Sequence, residues 1–194
     1  MPACAFGAPI VSSGSAVLGK EKAEEERCLE CHGEAGPGQG LSTGDGRFAR
    51  LDGQYADYLV KQVHDFRSGA RRNEFMQMMA RSLSDADLAD IAAYFASLPA
   101  KQPRGDNGAR ELFEQGDARR NLLACASCHG AGGKGIAAAA GPVLRGQAER
   151  YLVQQLHDWK SGARKNSAGG VMNSQAALLT DAEIGALARY LSAP

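Results

Sequence analysis

Cys28-Leu29-Glu30-Cys31-His32 and Cys125-Ala126-Ser127-Cys128-His129 are two copies of one pentapeptide pattern, 97 residues apart. Cys-x-x-Cys-His is the attachment signature of c-type haem. Each pair of thiols can add across the two vinyl groups of a porphyrin, and the histidine that follows can ligate the iron. The spacing has a geometric reason. Cysteines three apart on a helical turn face the same way, and the adjacent histidine is carried under the ring plane. The sequence therefore predicts two covalently attached haem c groups, one on Cys28 and Cys31 and one on Cys125 and Cys128, with His32 and His129 on the irons. Other chemistries fit less well. A thioredoxin-like dithiol needs a preceding strand and an α/β pattern, and no β-branched run precedes either site. A single four-cysteine zinc site would leave both following histidines to coincidence. Disulfides between cysteines three apart are strained and uncommon.

The elements that must hold these groups repeat with them. The stretch YLVKQVHDFRSGARRN begins at Tyr58 and YLVQQLHDWKSGARKN at Tyr151. Upstream, LDGQ from Leu51 matches LRGQ from Leu144; downstream, LSDADLADIAAYFASL from Leu83 matches LTDAEIGALARYLSAP from Leu179. Identity at this period marks an internal duplication. The expected domains span residues 18–98 and 107–194, joined by a linker at 99–106 that contains prolines, a glycine and mixed charge. Both halves read as all helical. A first helix is expected over 18–28, with its counterpart over 109–125 interrupted near Gly116. A middle helix over 55–68 places Tyr58, Leu59, Gln62, Val63 and Phe66 on one face. The last helices open with Ser84 and Thr180 as caps, with Asp87 and Glu183 three residues on. Their apolar faces are Leu88, Ile91, Ala92, Tyr94 and Phe95, and Ile184, Leu187, Ala188, Tyr190 and Leu191. Glycine-rich segments after each motif, 33–46 and 130–141, read as loops crossing the haem edge.

The repeat also selects a second ligand for each iron. Met172 is the only methionine of the second half and lies seven residues before Leu179. The same distance before Leu83 lands on Met76, which separates it from Met78 and Met79. A neutral thioether opposite histidine favours ferrous iron and raises the reduction potential; the alternative is that these methionines fill gaps in the core. Met78 and Met79 are expected to pack the haem pocket. The remaining histidines, His64 and His157, occupy equivalent positions beside an aspartate on the polar side of the middle helix and are expected at the surface. Arg71-Arg72-Asn73 and Arg164-Lys165-Asn166 precede the methionines. They could neutralise haem propionates by charge-assisted hydrogen bonds or form a solvated turn.

Composition limits what else the chain can be. Of its 194 residues only 6% are aromatic, so domains of this size would have modest cores unless a large apolar cofactor filled them. Net charge is zero, but residues 1–100 hold 10 Lys and Arg against 14 Asp and Glu, a net of −4, while residues 101–194 hold 12 against 8, a net of +4. Such a dipolar chain suits orientation towards charged protein partners and offers no continuous basic stripe for nucleic acid. No apolar run approaches the ~20 residues of a transmembrane helix. Residues 1–17 read as a flexible N-terminus holding the tail of a signal peptide, because Ala3-Cys4-Ala5 has the small-x-small form of a cleavage site. Cys4 then belongs to processing.

The two Cys-x-x-Cys-His motifs, the Leu-x-Gly-Gln stretches, the Tyr-Leu-x-x-Gln middle helices and the Leu-Ser/Thr-Asp openings together resemble the diheme cytochrome c4 family, over nearly the whole chain from Leu18 onward. The resemblance implies two tandem class I cytochrome c domains, all-α, packed about a pseudo-twofold axis with the propionate edges facing. It implies His32 and Met76 on the first iron and His129 and Met172 on the second. The family usually has a proline two residues before the Leu-x-Gly-Gln leucine, near the iron-ligating histidine; Pro142 fits, while Ala49 stands there in the first half. Members are periplasmic one-electron carriers, often membrane-associated, that pass electrons from respiratory or dehydrogenase donors to an acceptor such as a haem–copper oxidase.

Two function classes follow. A pure carrier has both irons six-coordinate, no small-molecule substrate, no catalytic residue and only redox proteins as partners. An enzyme, such as a diheme peroxidase or a thiosulfate-oxidising haem protein, needs an open distal site or a cysteine ligand, and neither domain has a spare cysteine. Between them stands an electron-transfer subunit of a sulfur-compound or alcohol dehydrogenase complex. The carrier is the expected function.

Overall fold

The structure, a computed structural model, describes residues 14–32, 46–103 and 107–192. Among these there are ten α-helices and no strand, only three isolated β-bridges. The chain divides into two compact units, with the division in sequence between Ala100 and Lys101. Cys4, most of the glycine-rich segment after His32 and part of the expected linker lie outside the described residues. No described helix is long and apolar enough to cross a membrane.

In the first unit, α1 (Ala16–Glu25) is capped by Ser15, whose hydroxyl accepts the Leu18 N–H. It lies across α5 (Asp85–Ser97) so closely that a Cβ on Gly19 would meet the Asp90 carbonyl oxygen at 1.9 Å. Ala23 is fully buried at the same crossing, and Lys22 bonds both Asp87 and Asp90 at its rim. The first helix is shorter than the sequence suggests at its far end. Arg27 adopts a left-handed φ of 59°, which turns the chain and lets the haem motif begin a helix of its own, α2 (Cys28–His32). The middle helix α3 (Ala56–Ser68) ends at Gly69 in the left-handed region. Its Leu59 and Val60 join Leu88, Ile91, Ala92 and Phe95 in one core, against which Cys28 and Leu29 pack.

The methionine segment between α3 and α5 is also helical. The sequence analysis assigns no element there, but Asn73 caps α4 (Glu74–Ser82) by accepting the Met76 N–H. Arg67 of α3 then fixes the far end of α4 through the carbonyls of Ala80 and Leu83.

The second unit repeats the plan with a broken first helix. As expected, α6 (Arg110–Gln115) stops at Gly116, and the motif forms α7 (Ala126–His129). The middle helix α8 (Glu149–Ser161), the short methionine helix α9 (Val171–Ala176) and the last helix α10 (Asp181–Leu191) follow. Thr180 and Glu183 form the expected capping box. Phe113, Leu152, Ile184, Leu187, Tyr190 and Leu191 make the core, with Cys125 and Ala126 against it.

The repeated Leu-x-Gly-Gln has a mechanical role. Gly53 N–H donates to Phe95 O and Gly146 N–H to Leu191 O, so each loop is latched to the last helix of its own unit. The buried Gln54 and Gln147 each accept the N–H of the next residue at the entry to the middle helix.

Candidate haem sites

Within each motif one helical turn gathers both thiols and the histidine. Cys28, Cys31, Cys125 and Cys128 are all free thiols and all half-buried. Burial pushes the Cys28 and Cys125 thiols up to about 11, so before attachment both stay protonated at neutral pH.

The histidines are oriented by the main chain. His32 Nδ1 lies 2.8 Å from Ala49 O and His129 Nδ1 lies 3.0 Å from Pro142 O. A carbonyl can only accept, so Nδ1 carries the proton in each ring and Nε2 keeps its lone pair for a metal. Burial holds both imidazoles below their ordinary pKa, favouring the neutral form that ligates. The first half lacks the proline that its resemblance leads one to expect at position 49, yet the contact is made, because a carbonyl is available from any residue there. In the second half the loop that delivers Pro142 runs directly over the motif: a Cβ on Gly141 would meet Cys128 O at 1.8 Å. Glu114 pins the same loop by accepting from the Gly132 N–H and the Tyr190 hydroxyl.

Met76 and Met172 lie on other elements of the same units, α4 against α3 and α9 against α8, and both are half-buried. Met79 shares the half-buried face of α4 with Met76. Met78, on the same helix, is 59% exposed.

His64 is exposed, 3.9 Å from Asp85 at the start of α5. Its counterpart His157 is half-buried and lies within electrostatic reach of Asp181 at the start of α10. The Arg-Arg-Asn and Arg-Lys-Asn runs are more ordered than a solvated turn. Arg71 stacks over Phe66 at 4.8 Å and donates to Gln62, and Arg164 stacks over Trp159 at 4.3 Å and donates to Gln155. This gives the repeated glutamine of the middle helices a function that the sequence analysis missed. The matched Gln-to-Arg spacing of nine residues in both halves was the available signal.

The donor set therefore fits a c-type haem in each unit: two free thiols on one turn beside a neutral, oriented imidazole. A cytochrome c family profile matches residues 16–99 and again 109–193. Cytochrome c4 of Pseudomonas aeruginosa is 37% identical over 185 residues, spanning 93% of this chain and 89% of that one. The chain belongs to the diheme cytochrome c4 family. The thiosulfate dehydrogenase electron acceptor of Stutzerimonas stutzeri is 36% identical over 172 residues, 85% of this chain and 77% of that one. The crystal structure of reduced recombinant cytochrome c4 from Pseudomonas stutzeri matches with a TM-score of 0.82 at 33% identity, over 92% of this chain and 97% of that chain. As a c4-family cytochrome the chain carries two covalently attached haem c groups and acts as a diheme electron carrier whose partners are redox proteins.

Proposed function

We propose that this cytochrome works in the periplasm, where it carries electrons from a respiratory or dehydrogenase donor to a terminal acceptor such as a haem–copper oxidase. Haem iron supplies reversible one-electron exchange between its ferric and ferrous states. In this reading Cys28 and Cys31, and Cys125 and Cys128, hold the two groups as thioethers. His32 with Met76, and His129 with Met172, would ligate the two irons. The observation that carries it is the repeated anchor from histidine Nδ1 to a main-chain carbonyl, which fixes each ring and aims Nε2 away from the protein's own hydrogen bonds. With both irons so ligated, neither would keep a position for substrate, and in this reading the protein acts as a carrier and binds no small-molecule substrate. Peripheral attachment to the membrane is part of the same reading.

A second reading is favoured by the 36% identity to a protein named as an electron acceptor of thiosulfate dehydrogenase: the chain takes electrons from a sulfur-compound or alcohol dehydrogenase. One experiment separates the two. The oxidised protein is mixed with native membranes and a respiratory donor, or with a thiosulfate dehydrogenase and thiosulfate, and reduction is followed in the haem α-band. Fast reduction and reoxidation by membranes supports the respiratory role, and reduction only with thiosulfate supports the second. Hydrogen peroxide turnover by the isolated protein would overturn both.

A further inference from the structure

The two halves hold their methionines by different means. In the first, Met76 sits in a nine-residue helix with a side-chain cap, and that helix is fixed at its far end by Arg67. In the second, α9 has only six residues, and it follows Gly169 and Gly170 at φ 57° and 67° with no side-chain cap. So short a segment cannot set its own position through helical hydrogen bonds.

Contacts to the rest of the unit set it instead, and they converge on the residue after the methionine. Asn173 Nδ2 donates at 2.8 Å to Trp159 O, near the end of α8, and at 2.8 Å to Arg164 O, in the turn beyond it. On the other side the Met172 N–H donates to Ser167 Oγ at 3.2 Å. Gln175 accepts the Leu123 N–H, tying α9 to the segment just before the haem motif. The carboxamide of Asn173 uses both of its protons on two main-chain oxygens that belong to different segments. No carboxylate or hydroxyl of similar size supplies two such donors. At the aligned position of the first half stands Gln77, in a helix already secured at both ends.

We propose that Asn173 is a positioning residue for the second haem: its two hydrogen bonds fix α9 so that Met172 stays on the iron. The proposal rests on the reading of Met172 as an axial ligand. Asn173 itself touches neither iron nor porphyrin in this role; it sets how often the methionine leaves.

The test uses the full-length diheme protein with both groups attached. An external ligand binds ferric iron only when methionine is off, so its apparent affinity rises in proportion to the methionine-off fraction. Imidazole is the probe. Asn173→Asp keeps the size of the side chain but removes both donors. Losing two bonds of ordinary strength raises the off fraction about tenfold or more. The expected result is a rise of about tenfold in imidazole affinity at one of the two haems, with the other unchanged and unchanged again in Gln77→Ala. A purely structural role would lower the unfolding temperature without moving imidazole affinity at 25 °C. Asn173→Gln covers the case in which the aspartate variant does not mature. It keeps the donors on an arm one methylene longer and is expected to raise the affinity at the same haem by a smaller factor. Imidazole affinity within twofold of the parent in whichever variant matures overturns the proposal. Met172→Ala distinguishes this from failure of the ligand reading: it removes half of the near-infrared sulfur-to-iron absorption if Met172 is a ligand and none of it otherwise.

Discussion

An imidazole that is to bind iron must be neutral, fixed in rotation and protonated on the far nitrogen. His32 and His129 meet all three conditions through burial and one carbonyl each. The motif itself was legible because Cys-x-x-Cys-His has few competing meanings. The carbonyl was not legible in the first half, since a main-chain atom leaves no residue type to read. The choice among methionines came from the repeat alone. Replacing Met78 with alanine is expected to leave the ferric spectrum of both haems nearly unchanged, because the repeat aligns Met76, and not Met78, with Met172. Replacing Met76 is expected to remove half of the near-infrared sulfur-to-iron band and leave the first haem high-spin or misligated. A band that survives in the Met76 variant and falls in the Met78 variant would mean that the register between the halves is wrong by two residues.

At the level of helices, close crossings and caps carry the stability. A methyl group at Gly19 would overlap the Asp90 carbonyl, so Gly19→Ala must push α1 off α5. Its expected cost is about 1–3 kcal/mol, read as a fall in the urea midpoint of the holoprotein. Gly185→Ala makes the control: its Cβ would meet only the movable end of Arg189 at 3.4 Å, and gain of helix propensity is expected to stabilise α10 by up to about 1 kcal/mol. The cap of α10 predicts a pH dependence. Arg120, together with the Thr180 cap, holds the Glu183 carboxyl down at about 2 against an ordinary 4.5. A lowered folded-state pKa means that the unfolded chain takes up the proton first, so this contribution is complete above about pH 4.5 and fades as pH falls towards 2. Glu183→Gln is expected to cost about 1–3 kcal/mol at pH 7, with the difference from the parent closing over that acid range. A constant difference from pH 7 to pH 2 would show that the carboxylate charge contributes nothing. These elements were largely legible: apolar periodicity and the Ser84 and Thr180 caps marked the middle and last helices. What escaped was α4 and α9, the first a nine-residue helix capped by Asn73 and the second only six residues long.

Over the whole chain the charge is uneven, −4 in residues 1–100 and +4 in residues 101–194. Negative charge stabilises the ferric form, whose iron carries the extra positive charge, so the first haem is expected to have the lower potential. Solvent and salt screen much of this, and the prediction concerns the order alone. A redox titration followed by NMR, with the Met172 variant identifying the second haem, checks it. Equal potentials, or a higher one at the haem of Cys28 and Cys31, would mean that contacts at the haems outweigh the surrounding charge. The separation of charge between the halves is easier to understand from their latches. Gly53 closes on Phe95 and Gly146 on Leu191, and neither bond crosses the boundary between residues 100 and 101. In genetic terms each half is a closed cassette. A second copy of such a cassette demands only a connecting peptide, and once both are present each can drift alone, one towards acid and the other towards base, without opening its neighbour.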